Sequence, residues 1–377
     1  MIVLTSIGCR RWWLSFTGRT QHNDEYAQKP SIASIIIDLS TAHLTPSYTI
    51  MWCHASIYTL SQLAYTLDMI ATVTPNPSID QHVSIEKLIK DDTLRANRVR
   101  RDPAGKGINV SRVLKRLGKE TAAYAITGGY AGHMFKRFLH REGVNLKTLD
   151  ILEETRINII ITDESDYTQT RISVPGPHVT NHQQKKFVEL MMHQDPFPTW
   201  WVLGGSLPEG IPDNFYAELI GCINARGGKC ILDTDNEPLR LGVNARPYMI
   251  KPNQYELSRL VGRDIASEKD MIRETRSLVK KGVSIVAVTL GENGSLIVTA
   301  DNAYRLTPPK VEAKSKVGAG DSFIAGAAMG FLQNLPIEEV FRHAVAAGTS
   351  AVLTEGTELV HKGTYEDLLA QIKVTNI

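Results

Sequence analysis

Residues 316–329 read KVGAGDSFIAGAAM, a glycine-rich turn that leads directly into an apolar helical stretch. Its glycines let bare backbone N–H groups converge where the helix begins, and a helix N-terminus attracts phosphate. Asp321 lies on the same turn, so its carboxylate could accept a proton from an alcohol beside that phosphate. The turn predicts phosphoryl transfer to a hydroxyl, although Asp and Ser are also ordinary helix N-caps.

A second glycine-rich turn, PAGKGIN at 103–109, also precedes a helical pattern. Apolar residues follow it at helical spacing, at Val110, Val113, Leu114 and Leu117. Neither turn matches the P-loop or the dinucleotide-binding G-x-G-x-x-G pattern. Two such turns in one chain favour phosphate binding over helix capping alone.

Composition excludes several classes of protein. The chain has 377 residues, 42% of them hydrophobic, which suits one large α/β core with a small appendage. The net charge is +2 and Lys and Arg are scattered, so we expect neither nucleic acid nor a membrane as partner. The four cysteines show no C-x-x-C spacing, which indicates a reducing compartment and no structural zinc. We therefore expect a cytoplasmic protein with a small-molecule partner.

Residues 1–68 differ in composition from the rest. They hold three of the five tryptophans, and Asp38 is the only formally charged side chain between positions 31 and 67. Polar residues interrupt the apolar runs before they reach the roughly 18 residues of a membrane helix, and a signal peptide fits poorly. We predict an N-terminal extension outside the fold at 1–68, a folded domain at 69–377, and Met69 as a candidate initiator.

From Met69 onward, short β-rich runs alternate with helical patterns. The expected strands are 70–73, 122–126, 200–203, 230–232, 248–250 and 284–290, and the expected helices include 110–117, 133–141 and 215–224. Such alternation predicts an α/β fold with a mainly parallel central sheet and helices on both faces. Functional loops then lie at the carboxyl ends of the strands.

Six short motifs follow one another along this domain. They are TPNPSID at 74–80, AGKGIN at 104–109, TRIN at 155–158, GSLP at 205–208, KPNQYEL at 251–257 and VGAGD at 317–321. In this order they resemble the PfkB (ribokinase-like) carbohydrate kinases, in the phosphofructokinase and tagatose-6-phosphate kinase branch. The resemblance runs from about Met69 to the C-terminus and implies an ATP-dependent kinase of a ketohexose monophosphate.

Two segments, 83–101 and 155–174, break the alternation. The second reads as two extended runs joined by a polar turn at 163–167, so both segments can form a small sheet. In the resembling family such a β-sheet lid covers the sugar site and pairs with the lid of a second subunit. The resemblance therefore implies a homodimer through the lid.

The resemblance and the chemistry of a kinase assign the catalytic roles. Asp321 is the expected general base, and Gly318, Ala319 and Gly320 are the expected backbone donors to the transition-state charge. With an ordinary Asp pKa near 3.9, this carboxylate would be ionised at neutral pH.

The sugar phosphate has its own set of expected contacts. Asp80 could accept hydrogen bonds from sugar hydroxyls, with an Asx turn as the alternative. Gly105 permits close backbone approach, while Lys106 and Asn109 can hold ligand oxygens; the alternative is a helix start with a solvated Lys. Arg156 suits the phosphate group, and an exposed lid Arg is the alternative.

The nucleotide side is expected at a later strand-to-helix junction. Lys251, Asn253 and Glu256 match the family motif that arranges magnesium, phosphate and water, although Asn253 and Glu256 could simply form a capping box. Magnesium is expected with ATP rather than in a direct protein site. Strand and turn residues complete this edge, although a hairpin turn explains them equally: Thr289, Gly291 and Gly294.

Two positions depart from the family pattern. Lys316 stands where family members have Thr, so a point charge replaces a hydroxyl near the nucleotide phosphates. Ala104 stands where several relatives carry Gly. We expect altered nucleotide affinity rather than inactivity, and a monovalent cation near Gly356 is a further expectation.

The motifs disagree about the substrate. AGKGIN and TRIN resemble 1-phosphofructokinases, VPGP at 174–177 resembles 6-phosphofructokinases, and residues 69–80 resemble tagatose-6-phosphate kinases. Fructose 1-phosphate and fructose 6-phosphate give the same bisphosphate, so we expect a ketohexose-phosphate kinase and favour fructose 1-phosphate. A sugar-phosphate binding or regulatory protein without turnover is the alternative from a different class.

Overall fold

A computed structural model describes residues 69–377 and, before them, only the backbone of three strands. These are β1 (Ile2–Ser6), β2 (Arg11–Phe16) and β3 (Ser34–Asp38), which pair antiparallel in that order. The chain divides into two compact units, Met1–Ala64 and Tyr65–Ile377. The prediction about residues 1–68 falls, apart from these strands, outside the described residues and stays a prediction.

Residues 69–377 form strands and helices in alternation. The strands are β4 (Ile70–Thr74), β5 (Ser78–Ile85), β6 (Ala96–Ala104), β7 (Thr121–Gly128), β8 (Asn145–Ile151), β9 (Arg156–Asp163), β10 (Gln169–Ile172), β11 (Trp200–Gly204), β12 (Lys229–Asp233), β13 (Met249–Ile250), β14 (Ile285–Thr289), β15 (Ser295–Val298), β16 (Ala303–Thr307) and β17 (Lys373–Asn376). The helices are α1 (Lys106–Arg116), α2 (Gly129–Arg141), α3 (Asn181–Met192), α4 (Phe215–Ala225), α5 (Asn236–Asn244), α6 (Gln254–Val261), α7 (Glu268–Lys280), α8 (Ala319–Leu332), α9 (Ile337–Val352) and α10 (Lys362–Leu369). Within the described part of the chain, none of these helices has the length and apolar character needed to cross a membrane.

The central sheet has the strand order β17-β16-β15-β14-β13-β12-β11-β4-β7-β8. From β14 to β8 all neighbours run parallel, and β15, β16 and β17 add an antiparallel edge. This confirms the predicted mainly parallel sheet. The six expected runs match β4, β7, β11, β12, β13 and β14 to within one or two residues, whereas β8, β15, β16 and β17 were not predicted.

Helices cover both faces because successive strand residues point to opposite sides. On β4, Ile70 packs into a core with the apolar residues of α8 and α9, such as Phe323 and Phe341. Its neighbour Ala71 packs into a second core with residues of α4, such as Phe215. All residues of β4 and β11 are buried, as expected for strands covered on both sides.

A smaller sheet of four strands, in the order β10-β9-β5-β6, accounts for the two segments that break the alternation. Its inner pair, β9 and β5, is parallel, and both outer pairs are antiparallel. The polar turn predicted at 163–167 joins β9 to β10. The sheet begins at Ser78 rather than at 83, because the chain enters β5 directly after the Pro75-Asn76-Pro77 turn.

Candidate active site

The VGAGD turn forms the N-terminus of α8. Gly318 is the cap residue with a left-handed φ of 77°, and a side chain there would clash with Leu359. Ala319, Gly320 and Asp321 form the first turn of the helix, where backbone N–H groups have no intrahelical acceptor. These groups are therefore available to an anion, as the sequence predicted.

Asp321 is held by Asn109 from the other glycine-rich turn. Asn109 Nδ2 donates to Asp321 Oδ2 at 2.7 Å, and Asn109 is 5% exposed. Burial, reinforced by the charge of Asp233, raises the pKa of Asp321 to about 6, although Asn109, Lys106 and Lys251 oppose the shift. The expectation of an ordinary pKa is therefore wrong, and Asp321 is a stronger base than a solvated Asp while still mostly ionised at pH 7.

Asp233, at the end of β12, joins two lysines beneath this turn. Its Oδ1 lies 3.1 Å from Lys106 Nζ and 3.4 Å from Lys251 Nζ. Burial of Asp233 opposes its ionisation, but the two lysines outweigh it and hold its pKa below the usual value. Asp233 was not among the site residues that the motifs predicted, although it ends a buried strand, where functional loops were expected.

Asp80 lies within β5 rather than in a turn, so the Asx-turn alternative is wrong. Its Oδ1 accepts hydrogen bonds from Ser78 Oγ and from Asn158 Nδ2, both at 2.9 Å. Asp80 is 6% exposed, and its second carboxylate oxygen has no hydrogen-bond partner among residues 69–377. That oxygen can accept a hydroxyl of a ligand. Asn158, which orients Asp80, was missing from the predicted site although it lies in the TRIN motif.

Arg156 begins β9 and reaches two other motifs. Its Nη2 donates to Asn76 O at 3.0 Å and to Ser206 Oγ at 3.3 Å, and its Nη1 donates to Val174 O at 3.2 Å. Arg156 Nε and Asn76 Oδ1 are buried without a hydrogen-bond partner in the described structure. Unpaired buried polar atoms are costly to the fold. The Arg156 residue as a whole is only partly buried, so its guanidinium can be reached from the cleft.

Gly105 and Lys106 open α1, next to the β4–β5 turn. Gly105 has a φ of 131°, and a Cβ at this position would come within 2.6 Å of the Thr74 side chain. The Lys106 side chain is one-third exposed, so the alternative of a freely solvated lysine is wrong. Ala104 is buried at the end of β6, where its small side chain is accommodated.

Asn253 and Glu256 form a complete capping box at the start of α6. Asn253 Oδ1 accepts from Glu256 N at 2.8 Å, and Glu256 Oε2 accepts from Asn253 N at 2.9 Å. The capping alternative is therefore real, and a role with magnesium stays a prediction. Lys251, which precedes this junction, faces Asp233 instead of solvent.

The remaining predicted nucleotide residues lie two strands from Asp233. Thr289 N donates to Pro252 O at 3.0 Å, which fixes the end of β14 beside the α6 cap. Gly291 and Gly294 bound a short turn between β14 and β15, with φ of 60° and 85°. Lys316 is exposed, two residues before Gly318. This turn follows the carboxyl end of β14, at the same end of the sheet as Asp233, and Lys316 precedes the VGAGD turn. None of these residues makes a described contact with Asp321.

Comparisons with known proteins identify the family of this chain. The model of the pfkB family carbohydrate kinases matches residues 76–362. The 1-phosphofructokinase of Bacillus subtilis (strain 168) is 32% identical over 309 residues, which are 82% of this chain and 100% of that protein. The ATP-dependent 6-phosphofructokinase isozyme 2 of Escherichia coli (strain K12) is 32% identical over 292 residues, which are 77% of this chain and 94% of that protein.

Solved structures with a similar fold include a phosphofructokinase. The crystal structure of phosphofructokinase-2 from Escherichia coli in complex with potassium has a TM-score of 0.77 at 30% identity, covering 80% of this chain and 98% of that one. These matches confirm the fold and the family that the motifs predicted. The chain belongs to the pfkB family of carbohydrate kinases.

Proposed function

We propose that this protein transfers the γ-phosphoryl group of ATP to a free hydroxyl of a ketohexose monophosphate, with fructose 1-phosphate as the favoured substrate. The product would be the bisphosphate, fructose 1,6-bisphosphate for this substrate. The observation that carries the proposal is Asp321, a carboxylate with a raised pKa on the first turn of α8, beside backbone N–H groups that have no intrahelical acceptor. A base and an anion site on one turn are the two elements that phosphoryl transfer to an alcohol needs.

Each residue of the turn has a defined part in this reaction. Asp321 takes the proton of the attacking sugar hydroxyl. The hydroxyl oxygen bonds to the γ-phosphorus of ATP while the bond from that phosphorus to the leaving oxygen of ADP breaks. The N–H groups of Ala319 and Gly320 stabilise the charge on the moving phosphoryl group. The Lys106 side chain is one-third exposed beside Asp233, so its ammonium group can contact a ligand phosphate.

The sugar phosphate would lie against the small sheet. Asp80, oriented by Asn158, binds hydroxyls, while the partly buried guanidinium of Arg156 binds the phosphate group of the substrate. A cationic anchor of this kind selects a phosphorylated sugar over a neutral one. Fructose 6-phosphate and tagatose 6-phosphate carry the same groups and are the alternative substrates.

Magnesium fits this site through the phosphates of ATP rather than through a protein cage. Among residues 69–377 no group of three or more His, Cys, Asp or Glu side chains is placed to hold a metal, but Glu256 keeps one carboxylate oxygen outside its capping bond. When bound with ATP, Mg²⁺ would neutralise phosphate charge. A monovalent cation near Gly356 stays a prediction, because the Arg100 guanidinium already lies beside this position and its Nη2 donates to the Glu355 carbonyl at 3.1 Å.

We also propose a homodimer through the small sheet, in the cytoplasm. Val99 and Ile172 are 54% and 48% exposed on two of its strands. They lie on the same face as Val83 and Ile159, by the pairing register. The same face also carries the polar residues Gln81, Arg101 and Thr170. Exposed apolar side chains on such a mixed face support association with a second copy.

The function is tested by ADP release from MgATP with fructose 1-phosphate, fructose 6-phosphate, tagatose 6-phosphate and unphosphorylated fructose offered separately. Turnover with one phosphate ester, lost in Asp321→Ala and retained in the exposed control Asp367→Asn, is the expected result. Thermal stabilisation by a sugar phosphate without any ADP release would instead favour a binding protein.

A further inference from the structure

A hydrogen-bonded chain leads from outside the cleft to Asp321. Asn109 Nδ2 donates to Asp321 Oδ2 at 2.7 Å, while Asn109 Oδ1 faces Arg112 Nη1 at 3.5 Å. Arg112 Nη1 also donates to Pro103 O at 3.0 Å, within the glycine-rich turn that precedes α1. Arg112 therefore contacts both the turn and the side chain that holds the base.

Arg112 is itself fixed by a fork-shaped ion pair. Its Nε and Nη2 donate to the two carboxylate oxygens of Glu142, each at 2.8 Å. The Arg112 side chain is 2% exposed and that of Glu142 is 28% exposed, at the end of α2. A bidentate pair holds the guanidinium plane in one orientation, which a lysine could not reproduce.

The Asn109 amide needs such a support because one end is a hydrogen-bond donor and the other is an acceptor. Its NH₂ end can donate to the Asp321 carboxylate, whereas its carbonyl end would meet that carboxylate as one acceptor facing another. A guanidinium on the carbonyl side favours the orientation in which the NH₂ faces Asp321. Arg112 follows Asn109 by three residues on α1, so the helix places both side chains on one face.

Glu142 also reaches the other wall of the site. Arg116, one turn after Arg112, has its Nη2 4.0 Å from Glu142 Oε2, and its Nη1 donates to the carbonyl of Glu358. The next residue, Leu359, packs against Gly318 of the VGAGD turn. Glu142 thus fixes Arg112 through two hydrogen bonds and lies near Arg116, which holds the segment that packs against the anion turn.

We propose that Arg112, held by Glu142, is a positioning residue for phosphoryl transfer: it fixes the Asn109 amide so that this amide orients Asp321. The inference rests on the proposed function, in which Asp321 is the base. Neither Arg112 nor Glu142 touches the substrate in this scheme. Their effect therefore falls on turnover more than on binding.

The first test separates turnover from binding. Arg112→Gln should lower kcat about tenfold to a hundredfold, the range that a small misplacement of a reacting group produces. The Kd of the sugar phosphate, measured by calorimetry without ATP, should change by less than about twofold, because Arg112 does not contact the bound substrate in this scheme. Equal losses in kcat and in sugar-phosphate binding would overturn the positioning role.

Matched variants control for the fold. Arg342 pairs with Glu339 at 3.2 Å and donates to the Leu369 carbonyl, away from the site, so Arg342→Gln should keep wild-type kcat. Glu142→Gln replaces one acceptor oxygen by a donor that opposes the guanidinium, and it should lower kcat severalfold even if Arg112→Gln does not fold. An unchanged kcat in Glu142→Gln would contradict the proposal.

A double-mutant cycle tests the route through Asn109. Asn109→Ala should itself lower kcat, and adding Arg112→Gln to it should cause little further loss, because the shared contact is already gone. Losses that multiply would show that Arg112 acts by another route. If Asp321→Ala proves fully active, the proposed function fails; if it is inactive and the losses multiply, only this inference fails.

The pH profile gives a readout that general destabilisation would not move. Besides Asn109, the groups that face Asp321 are Asp233 on β12, Lys106 on α1 and Lys251 beyond β13. These charges stay in place in Arg112→Gln, but the Asn109 bond that favours ionised Asp321 is weakened. The acid limb of kcat/KM should therefore move to higher pH, and a limb at the wild-type position would refute the coupling.

Discussion

Replacing Asp321 by Asn should abolish most of the activity and stabilise the fold at the same time. Asn keeps the shape of Asp and can still accept the Asn109 hydrogen bond through Oδ1. It cannot take a proton from a hydroxyl, so kcat should fall by a factor of about 10² to 10⁴. The stability gain follows from the pKa of the residue that is removed.

The magnitude comes from the difference between folded and unfolded protein. Burial raises the pKa of Asp321 from 3.8 to about 6. At about 1.4 kcal/mol per unit of pKa difference, the ionised carboxylate costs the folded state up to about 3 kcal/mol. Between these two pKa values the folded chain binds more protons than the unfolded chain, so stability falls as the pH rises through that window. The cost is fully present above about pH 6 and vanishes below about pH 4.

Urea unfolding of both proteins at two pH values measures this cost. Asp321→Asn should exceed wild type by about 3 kcal/mol at pH 8 and by only about 1 kcal/mol at pH 4.5. The exposed substitution Asp367→Asn changes net charge equally and should show no such pH-dependent gain. An equal gain at both pH values, or a loss at pH 8, would refute the raised pKa and the burial on which it depends.

Three further substitutions test other parts of the site. Asp233→Asn leaves two lysines unpaired that lie 3.1 and 3.4 Å from Oδ1, so the free energy of unfolding should fall by about 3–5 kcal/mol. It should also move the acid limb of kcat/KM to lower pH, since Asp233 raises the pKa of Asp321; comparison with wild type on the same substrates removes the contribution of their phosphates. Arg156→Gln should raise KM for the sugar phosphate about tenfold to a hundredfold while leaving unphosphorylated fructose unaffected, because a charge-assisted bond is lost. Lys316→Thr should raise KM for ATP about two- to fivefold at low salt, and identical ATP kinetics would show that the lysine does not contact nucleotide.

Local patterns were sufficient for the mainly parallel strands of the central sheet and for the turns that begin helices. The apolar run of β11 is buried on both faces, and the glycine-rich turns at 103–109 and 316–322 do begin helices. The capping box at Asn253 and Glu256 follows from residues three positions apart. In each case the residues that decide the structure are neighbours in sequence, so their spacing carries the information.

The features that sequence patterns missed depend on residues far apart in the chain. Lys106 and Asp233 are separated by 127 positions, and Asn109 and Asp321 by 212. The raised pKa of Asp321 arises from its burial and from Asp233, neither of which a local motif displays. The Asx-turn alternative for Asp80 rested on Pro77 and Ser78, but pairing with β9 and β6 places Asp80 in a strand.

The two lysines that contact Asp233 differ in exposure, so they can play different parts when a ligand binds. The Lys251 side chain is 7% exposed and that of Asp233 is 2% exposed, so this pair stays together in the interior. The Lys106 side chain is 33% exposed, so a phosphate can reach it from the cleft. Moving Lys106 onto a ligand would leave Asp233 with Lys251, and no buried carboxylate would lose its last cation. A site with a single lysine would have to break its only ion pair to bind the anion, at a cost of several kcal/mol.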